Sequence, residues 1–229
     1  MKKGDIITTL AVLAVIGAFA FVPGAMDWFN AMTAEHGMIM SFFKFAILGT
    51  FGEMLALRIR KGCYIEKGFG LVPKMLVWGV LGVIIASAMT IFKSGTVTLL
   101  EKGFGVSEAG AWFKGDFSGG KVFVALLVSV LMNTIFAPVF MTFHKITDAH
   151  IARNGGSIKA LLKPIPMAEM FANINWNAQW GFVFKKTIPF FWYPAHTITF
   201  MLPSDQRVLF AAVLGIVLGV LLAVAASKK

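Results

Sequence analysis

The sequence predicts an all-α integral membrane protein, a bundle of about six transmembrane helices, from three observations. First, 58% of the 229 residues are apolar or aromatic and only 14% are charged, which gives a mean hydropathy of +0.78. Second, several apolar runs approach the roughly 20 residues that cross a bilayer. Third, the basic residues lie between these runs, as in cytoplasmic loops. A soluble domain of this size could not bury so much apolar surface, so residues 1–229 are interpreted as one transmembrane domain.

Six apolar runs mark the predicted spans. Five of them are long: 6–22, 38–57, 71–92, 122–143 and 208–226. The fifth span in chain order, 188–202, has only 15 residues and contains Pro189 and Pro194, so we expect a short, broken helix there. The first run has a basic start and could be a cleaved signal, which would leave five spans. Pro23 and Gly24 end it like a helix stop and favour an extra N-terminal span that is retained.

The distribution of basic residues orients the spans. With a cytoplasmic N-terminus, 15 of the 21 Lys and Arg residues fall on the inner side and 5 on the outer side, and Lys44 lies within a span. This split predicts that both termini are cytoplasmic. The formal net charge of +10 is therefore attributed to inner loops rather than to nucleic-acid binding. The N-terminal sequence lacks the Arg- and Ser-rich character of a mitochondrial transit segment, which favours a bacterial inner membrane.

Polar residues within the apolar runs are candidates for function, because ionisable groups in a bilayer are costly and usually have a role. Glu53 has two interpretations: an ion pair at the cytoplasmic interface near Arg58 and Arg60, or a carboxylate that faces the bundle interior or a water path. Lys44 lies near the outer half of the same span and is expected to extend to the surface. Asn133, in the middle of the fourth span, is typical of a hydrogen bond between helices.

The histidines do not predict a metal site or a catalytic centre. His144 and Asp148 are one helical turn apart, and a hydrogen bond between them is expected because His150 falls on another face and leaves a metal site incomplete. His196 is expected to bond to a neighbouring helix. The sequence contains no phosphate-binding loop, nucleophile elbow or haem motif. We therefore expect no enzyme, metal or cofactor, and the single Cys63 excludes an internal disulfide.

Three local patterns add to this picture. Pro138 is expected to kink the fourth span. Gly215 and Gly219 could allow another helix to approach closely. The outer loop, 94–120, holds seven glycines and both signs of charge, and is expected to be flexible or hairpin-like without chemistry of its own.

A recurring pattern of aromatic residues and prolines lies near the C-terminus. Residues 186–207 read KTIPFFWYPAHTITFMLPSDQR, in which the relevant positions are Trp192, Pro194, Phe200, Pro203 and Arg207. Upstream, 133–138 reads NTIFAP, with Phe136 and Pro138, and Gly52 precedes Glu53. These motifs resemble the peroxisomal membrane protein family of twenty-two kilodaltons and its mitochondrial inner-membrane relatives, over about residues 40–225. Tyr193 separates a Trp and a Pro that are adjacent in that family, and the family's closing Trp-Asn and Leu-Ser are missing.

The resemblance implies a small multi-span protein that forms a channel for small solutes, with the lipid bilayer and those solutes as partners. Self-association into a homo-oligomer is left open. Pro189 and Pro194 free backbone carbonyls, which are tolerated at membrane depth where they are buried or line water. We expect Trp192 to act as a gate or an interface anchor. The expected pore or solute-binding residues are Glu53, Asn133, His196 and Arg207.

Two alternatives remain from the sequence. In the first, the chain is a non-transporting membrane scaffold or assembly protein, and Asn133, Pro138 and Arg207 only hold the bundle together. In the second, it is a membrane enzyme that modifies a lipid or a quinone, with His144, Asp148 and His196 in its polar centre.

Overall fold

A computed structural model describes residues 3–227 and contains helices and no strand in that range, which confirms the predicted all-α class. The α-helices are α1 (Lys3–Phe21), α2 (Ala25–Glu35), α3 (Gly37–Lys61), α4 (Leu71–Thr98), α5 (Ala109–Lys114), α6 (Gly119–Ile135), α7 (Ala137–Arg153), α8 (Met167–Ala172), α9 (Trp176–Ala178), α10 (Tyr193–Met201) and α11 (Ser204–Ser227). A 3-10 helix covers Ile158–Leu162, and π-helices cover Leu99–Gly103 and Gln179–Trp192. The terminal Lys2, Lys228 and Lys229, which the charge count assigns to the cytoplasmic side, lie outside the described residues.

Four helical segments of the described chain are long and apolar enough to cross a membrane: Lys3–Phe21, Gly37–Lys61, Leu71–Gly103 and Ser204–Ala226. A fifth is obtained when the bent pair α6 and α7 is counted as one span. These segments correspond to five of the six predicted spans. The predicted span 188–202 is not among them, because the chain there forms the end of the π-helix Gln179–Trp192 and the nine-residue α10.

Pro138 marks a sharp bend in the fourth predicted span. The axes of α6 and α7 differ by 46°, and the break falls at Phe136. Proline has no backbone N–H and cannot continue the hydrogen-bond ladder of the preceding helix, so it sits in the first turn of α7. The predicted kink is confirmed.

The core forms where α3, α4, α6, α10 and α11 pack together. The α3–α4 contact depends on Gly82, because a Cβ atom at that position would lie 2.5 Å from the carbonyl oxygen of Ser41 and 2.6 Å from the Phe45 side chain. Small residues of this kind let the backbones of membrane helices approach closely. Fully buried side chains of this core include Leu81, Val124 and Phe200.

The segment 94–120 differs from the expected flexible or hairpin-like loop. Its first part continues α4 through the π-helix Leu99–Gly103, and its second part contains α5. Ala109 and Phe113 of α5 are buried in the core, and Glu101 accepts a hydrogen bond from the backbone N–H of Gly110 at 2.9 Å. Apolar side chains therefore fold this glycine-rich segment onto the bundle.

The first helix, α1, lies at the edge of the bundle and has no buried residue. Asp5 accepts two hydrogen bonds from Arg58 of α3, at 2.7 and 2.8 Å, and a third from the Tyr64 hydroxyl at 3.2 Å. At its other end, the rings of Phe19 and Phe29 meet edge to face. The contacts of α1 with the rest of the protein are therefore concentrated near its two ends.

Candidate functional site

Three of the four predicted pore residues line one cavity within the bundle. Glu53 comes from α3, Asn133 from α6 and His196 from α10. The cavity is partly open and has a volume of about 300 Å³. Trp192, the predicted gate or anchor, also lines it.

Most of the cavity wall is apolar. Its main apolar side chains are those of Phe45, Ile85, Met132, Phe136, Phe140, Met141, Val183, Leu218 and Leu222. Gly215 leaves open space, since nothing lies within 4 Å of a Cβ atom built there. Gly52 does serve the close approach of helices, because a Cβ atom would meet the Ile216 backbone of α11 at 3.3 Å.

Asn133 and His196 are hydrogen-bonded to each other at one end of the cavity. The Nδ2 atom of Asn133 lies 2.8 Å from the Ser129 carbonyl oxygen and 3.1 Å from Nδ1 of His196. A carbonyl oxygen only accepts hydrogen bonds, so the Ser129 contact fixes the orientation of the amide. Nδ2 therefore donates to Nδ1 of His196, and the neutral imidazole carries its proton on Nε2. The hydrogen bonds expected from Asn133 and His196 to a neighbouring helix are both present.

The segment around Trp192 is joined to α6 by a second polar contact. Ser129 donates a hydrogen bond to the Tyr193 carbonyl at 2.8 Å, so a backbone group near Pro194 is paired. The Trp192 ring lies 4.9 Å from the His196 ring, centroid to centroid. The indole Nε1 of Trp192 is buried and has no hydrogen-bond partner among the described residues.

A cluster of charged residues forms the opposite end of the cavity. Lys74 of α4 donates hydrogen bonds to Glu53 of α3 and to Asp148 of α7. Trp78 Nε1 donates to the other Glu53 oxygen at 2.6 Å, and His144 Nε2 lies 3.5 Å from that oxygen. Of the two interpretations of Glu53, the structure fits the carboxylate that faces the bundle interior, since Arg58 pairs with Asp5 instead.

The histidines near this cluster differ from expectation in part. His144 and Asp148 both contact the Glu53–Lys74 pair, and the hydrogen bond predicted between them is not formed in the described chain. His150 does face elsewhere, with Nε2 at 3.0 Å from the Ala160 carbonyl oxygen. Within residues 3–227, no group of three or more His, Cys, Asp or Glu side chains could hold a metal ion.

A second cavity of about 430 Å³ lies on the other side of the charged cluster. It shares Glu53, Ala56, Met141 and His144 with the main cavity, so these residues form the wall between the two. The remaining charged residues of this cavity are both positive and negative: Arg60, Glu66, Lys67, Lys74, Lys145 and Asp148. We call this space the vestibule.

Arg207, the fourth predicted pore residue, does not line the main cavity. Its Nε donates to the Leu202 carbonyl at 2.9 Å, and its guanidinium lies 5.2 Å from the Phe113 ring centroid and 6.0 Å from that of Phe200. It lines two hollows of about 290 and 380 Å³ at the end of the bundle opposite the vestibule. Phe200 is fully buried between Arg207 and His196. The chemistry of Arg207 is thus separated from the cavity.

Lys44 lies at the same end of the bundle as Arg207, where both line one hollow. Its Nζ donates to the Thr33 hydroxyl at 2.9 Å and lies 4.7 Å from the centre of the Phe29 ring. The residue is only 5% exposed, so α2 covers the side chain that was expected to reach the surface.

Lys74 is a site residue that the sequence does not single out, because it is one of the 15 basic residues assigned to the cytoplasmic side. One signal was present. Lys74 and Trp78 are four residues apart in an apolar helix, which places both on one face. Both contact Glu53 in the structure.

Comparison with protein-family models, with curated proteins and with solved structures finds no match for this chain. The resemblance stated above therefore stays a prediction. The residues that carry it lie around the cavity: Gly52, Phe136 and Trp192 line it, and Pro138 starts α7 behind it. Pro194 lies in the first turn of α10, Phe200 is buried between His196 and Arg207, and Pro203 separates α10 from α11.

Proposed function

We propose that this chain is a six-span protein of a bacterial inner membrane, with both termini in the cytoplasm, and that it passes small solutes through the main cavity as a channel or passive transporter. The observation that carries the proposal is the convergence of Glu53, Asn133 and His196, from three different helices, on one internal cavity. Polar groups in apolar helices that face the bundle interior are typical of solute and ion pathways.

The stretch Gln179–Met201 completes the six spans of the proposal, and it contains most of the predicted fifth span, 188–202. It joins the π-helix to α10 without a break. Phe190 and Ile198 are 81% and 50% exposed, whereas His196 and Thr199 are buried. A lipid environment favours this arrangement, in which apolar side chains face outward and polar side chains face inward.

The ends of the cavity explain how such a passage is closed. Toward the vestibule, Lys74 bonds to carboxylates on two other helices, so the cluster must separate before a solute can enter. Toward the outer hollows, the buried ring of Phe200 stands between His196 and Arg207. The structure accordingly corresponds to a closed state of the proposed passage, with a polar barrier on the inner side and an apolar barrier on the outer side.

The test is efflux from liposomes that contain the purified protein and a size series of trapped neutral and anionic solutes. We expect efflux with a size cutoff, and a changed rate or pH dependence for Glu53→Gln, because the substitution removes one of the two carboxylate charges that hold Lys74. Glu169→Gln is the matched control, since Glu169 pairs with the exposed Arg153 and lines neither the main cavity nor the vestibule. Absence of efflux from folded, inserted protein would overturn the proposal in favour of a scaffold. Unchanged efflux for Glu53→Gln would remove Glu53 from the mechanism.

A further inference from the structure

The main cavity contains a hydrogen-bond donor that the protein does not use. The contact with Asn133 leaves the ring proton of His196 on Nε2, and that atom has no hydrogen bond to another residue in the described part of the chain. His196 is only 7% exposed and lines the cavity. A buried donor without an acceptor costs free energy. An occupant with an acceptor oxygen would remove that cost.

The side chains around His196 restrict the charge and the size of the occupant. Phe136, Phe140, Met132 and Leu218 give the cavity an apolar wall, against which an ionic group would lose its hydration. The volume of about 300 Å³ lies at the lower end of the range for small-molecule sites. The occupant that fits is uncharged and compact, with an apolar body and an acceptor oxygen.

Two of the helices that line the cavity also face the exterior of the bundle. The cavity is lined by α11 and by the π-helix Gln179–Trp192, which pack on different neighbours: α11 mainly on α3, and the π-helix on α6 and α10. Exposed apolar residues such as Val213 and Val217 cover the outer face of α11. Lipophilic compounds concentrate in the bilayer next to such a surface.

We propose that the main cavity binds an uncharged lipophilic molecule through a carbonyl oxygen, which accepts a hydrogen bond from His196 Nε2. The inference goes beyond the proposed function, because it assigns a ligand to the closed cavity and not a transported solute. A carbonyl oxygen only accepts hydrogen bonds, so it matches this donor. Such a group occurs in free quinone-type compounds and in the esters of membrane lipids.

The test uses the full-length protein in detergent and two probes of the same shape. Duroquinone carries two carbonyls on a tetramethyl ring, and durene is the same ring without oxygen. We expect saturable binding of duroquinone by calorimetry, about tenfold tighter than that of durene, which corresponds to roughly 1.4 kcal/mol. Equal affinity for both probes, or no binding of duroquinone, would overturn the inference.

Variants locate the bound carbonyl. His196→Leu is expected to weaken duroquinone binding about three- to tenfold, the range of one neutral hydrogen bond. His196→Phe also removes the N–H but keeps an aromatic ring, so it supplies a second variant if His196→Leu does not fold. Thr199→Val is the matched control, because Thr199 is buried in the same helix and bonds only to the Ala195 carbonyl. Unchanged affinity in both donor variants would place the probe elsewhere and overturn the inference.

Two further readouts are needed. One separates the two possible sources of the carbonyl, and the other separates this inference from the proposed function. Mass spectrometry of co-purified lipid before and after duroquinone addition distinguishes the two sources: displaced lipid identifies an ester carbonyl as the occupant, and duroquinone binding without displacement identifies a free carbonyl compound. Liposome efflux is measured on the same preparation. Efflux with a size cutoff but no duroquinone binding overturns only this inference, whereas duroquinone binding without efflux overturns only the passage.

Discussion

Lys74 of α4 donates a hydrogen bond to Asp148 of α7, although the two residues are 74 positions apart in the chain. The same ammonium group bonds to Glu53 of α3, so one side chain joins three helices. Its side chain is only 8% exposed. A cation buried between two carboxylates contributes little net stability when intact, but removal of one partner leaves an uncompensated charge.

Lys74→Met is expected to destabilise the protein by about 3 kcal/mol, the lower end of the range for a broken buried ion pair, because Asp148 is 36% exposed. The free energy of unfolding in mixed micelles measures this. Lys61→Met is the control, because its pair with Glu66 is exposed and is expected to contribute under about 1 kcal/mol. Equal losses in the two variants would contradict a structural role for the cluster, and Glu53→Gln added to Lys74→Met should recover part of the loss.

Gly82→Ala is expected to destabilise the α3–α4 contact by about 1–3 kcal/mol, because the new Cβ atom would meet the Ser41 carbonyl oxygen, a backbone atom with little freedom to move. Gly95→Ala in the same helix is the control. Nothing lies within 4 Å of its Cβ position, so it should gain about 0.5–1 kcal/mol from lower chain entropy. Denaturation of both variants in one detergent gives the comparison, and opposite signs are the expected result.

Phe200→Leu is expected to raise the liposome efflux rate severalfold, because a smaller side chain weakens the apolar barrier between the cavity and the outer hollows. The substitution also leaves a small cavity at a fully buried position, so about 1–2 kcal/mol of stability should be lost. Phe190→Leu changes the same residue type at an exposed position of the preceding π-helix and should leave efflux unchanged. A rate that is equal in both variants would refute the barrier.

Asp5→Asn is expected to loosen α1 and leave the rest of the bundle intact, because it weakens the paired hydrogen bonds with Arg58. Proteolysis between α1 and α2, at 22–24, should become faster. The unfolding free energy of the remaining bundle should change by less than about 1 kcal/mol, since the pair is partly exposed. A large loss of bundle stability would show that α1 is part of the core. Asp27→Asn, which removes another carboxylate near the N-terminus, is the control.

The helical class and most spans could be predicted because long apolar runs leave a bilayer-spanning helix as the simplest way to satisfy the backbone. The segment 94–120 differs from the prediction of a flexible loop. Its seven glycines favour such a loop, but Leu100 and Phe113 fold it onto the core. The stretch 188–202 was predicted as a separate span, whereas it continues a π-helix that begins at Gln179. A π-helix leaves no periodic signal that reading at 3.6 residues per turn would detect.

The candidate site was predictable residue by residue but not as an arrangement. Glu53, Asn133 and His196 stood out because each is polar within an apolar run. Their convergence on one cavity depends on how the helices pack, including the 46° bend at Phe136, which one sequence does not specify. Nothing in the sequence indicates that Arg207 lies against the rings of Phe113 and Phe200, on the side of Phe200 away from the cavity.

The peripheral position of α1 makes it the most replaceable part of the chain. It is apolar on every face and contributes no buried side chain. The bundle therefore depends only on its length, its apolar character and the carboxylate of Asp5. Sequence drift there should be constrained by the membrane rather than by complementary packing. A foreign apolar helix of 19 residues that carries an acidic residue at the same depth should serve as well, which makes α1 the natural position for grafted labels, tethers and affinity handles.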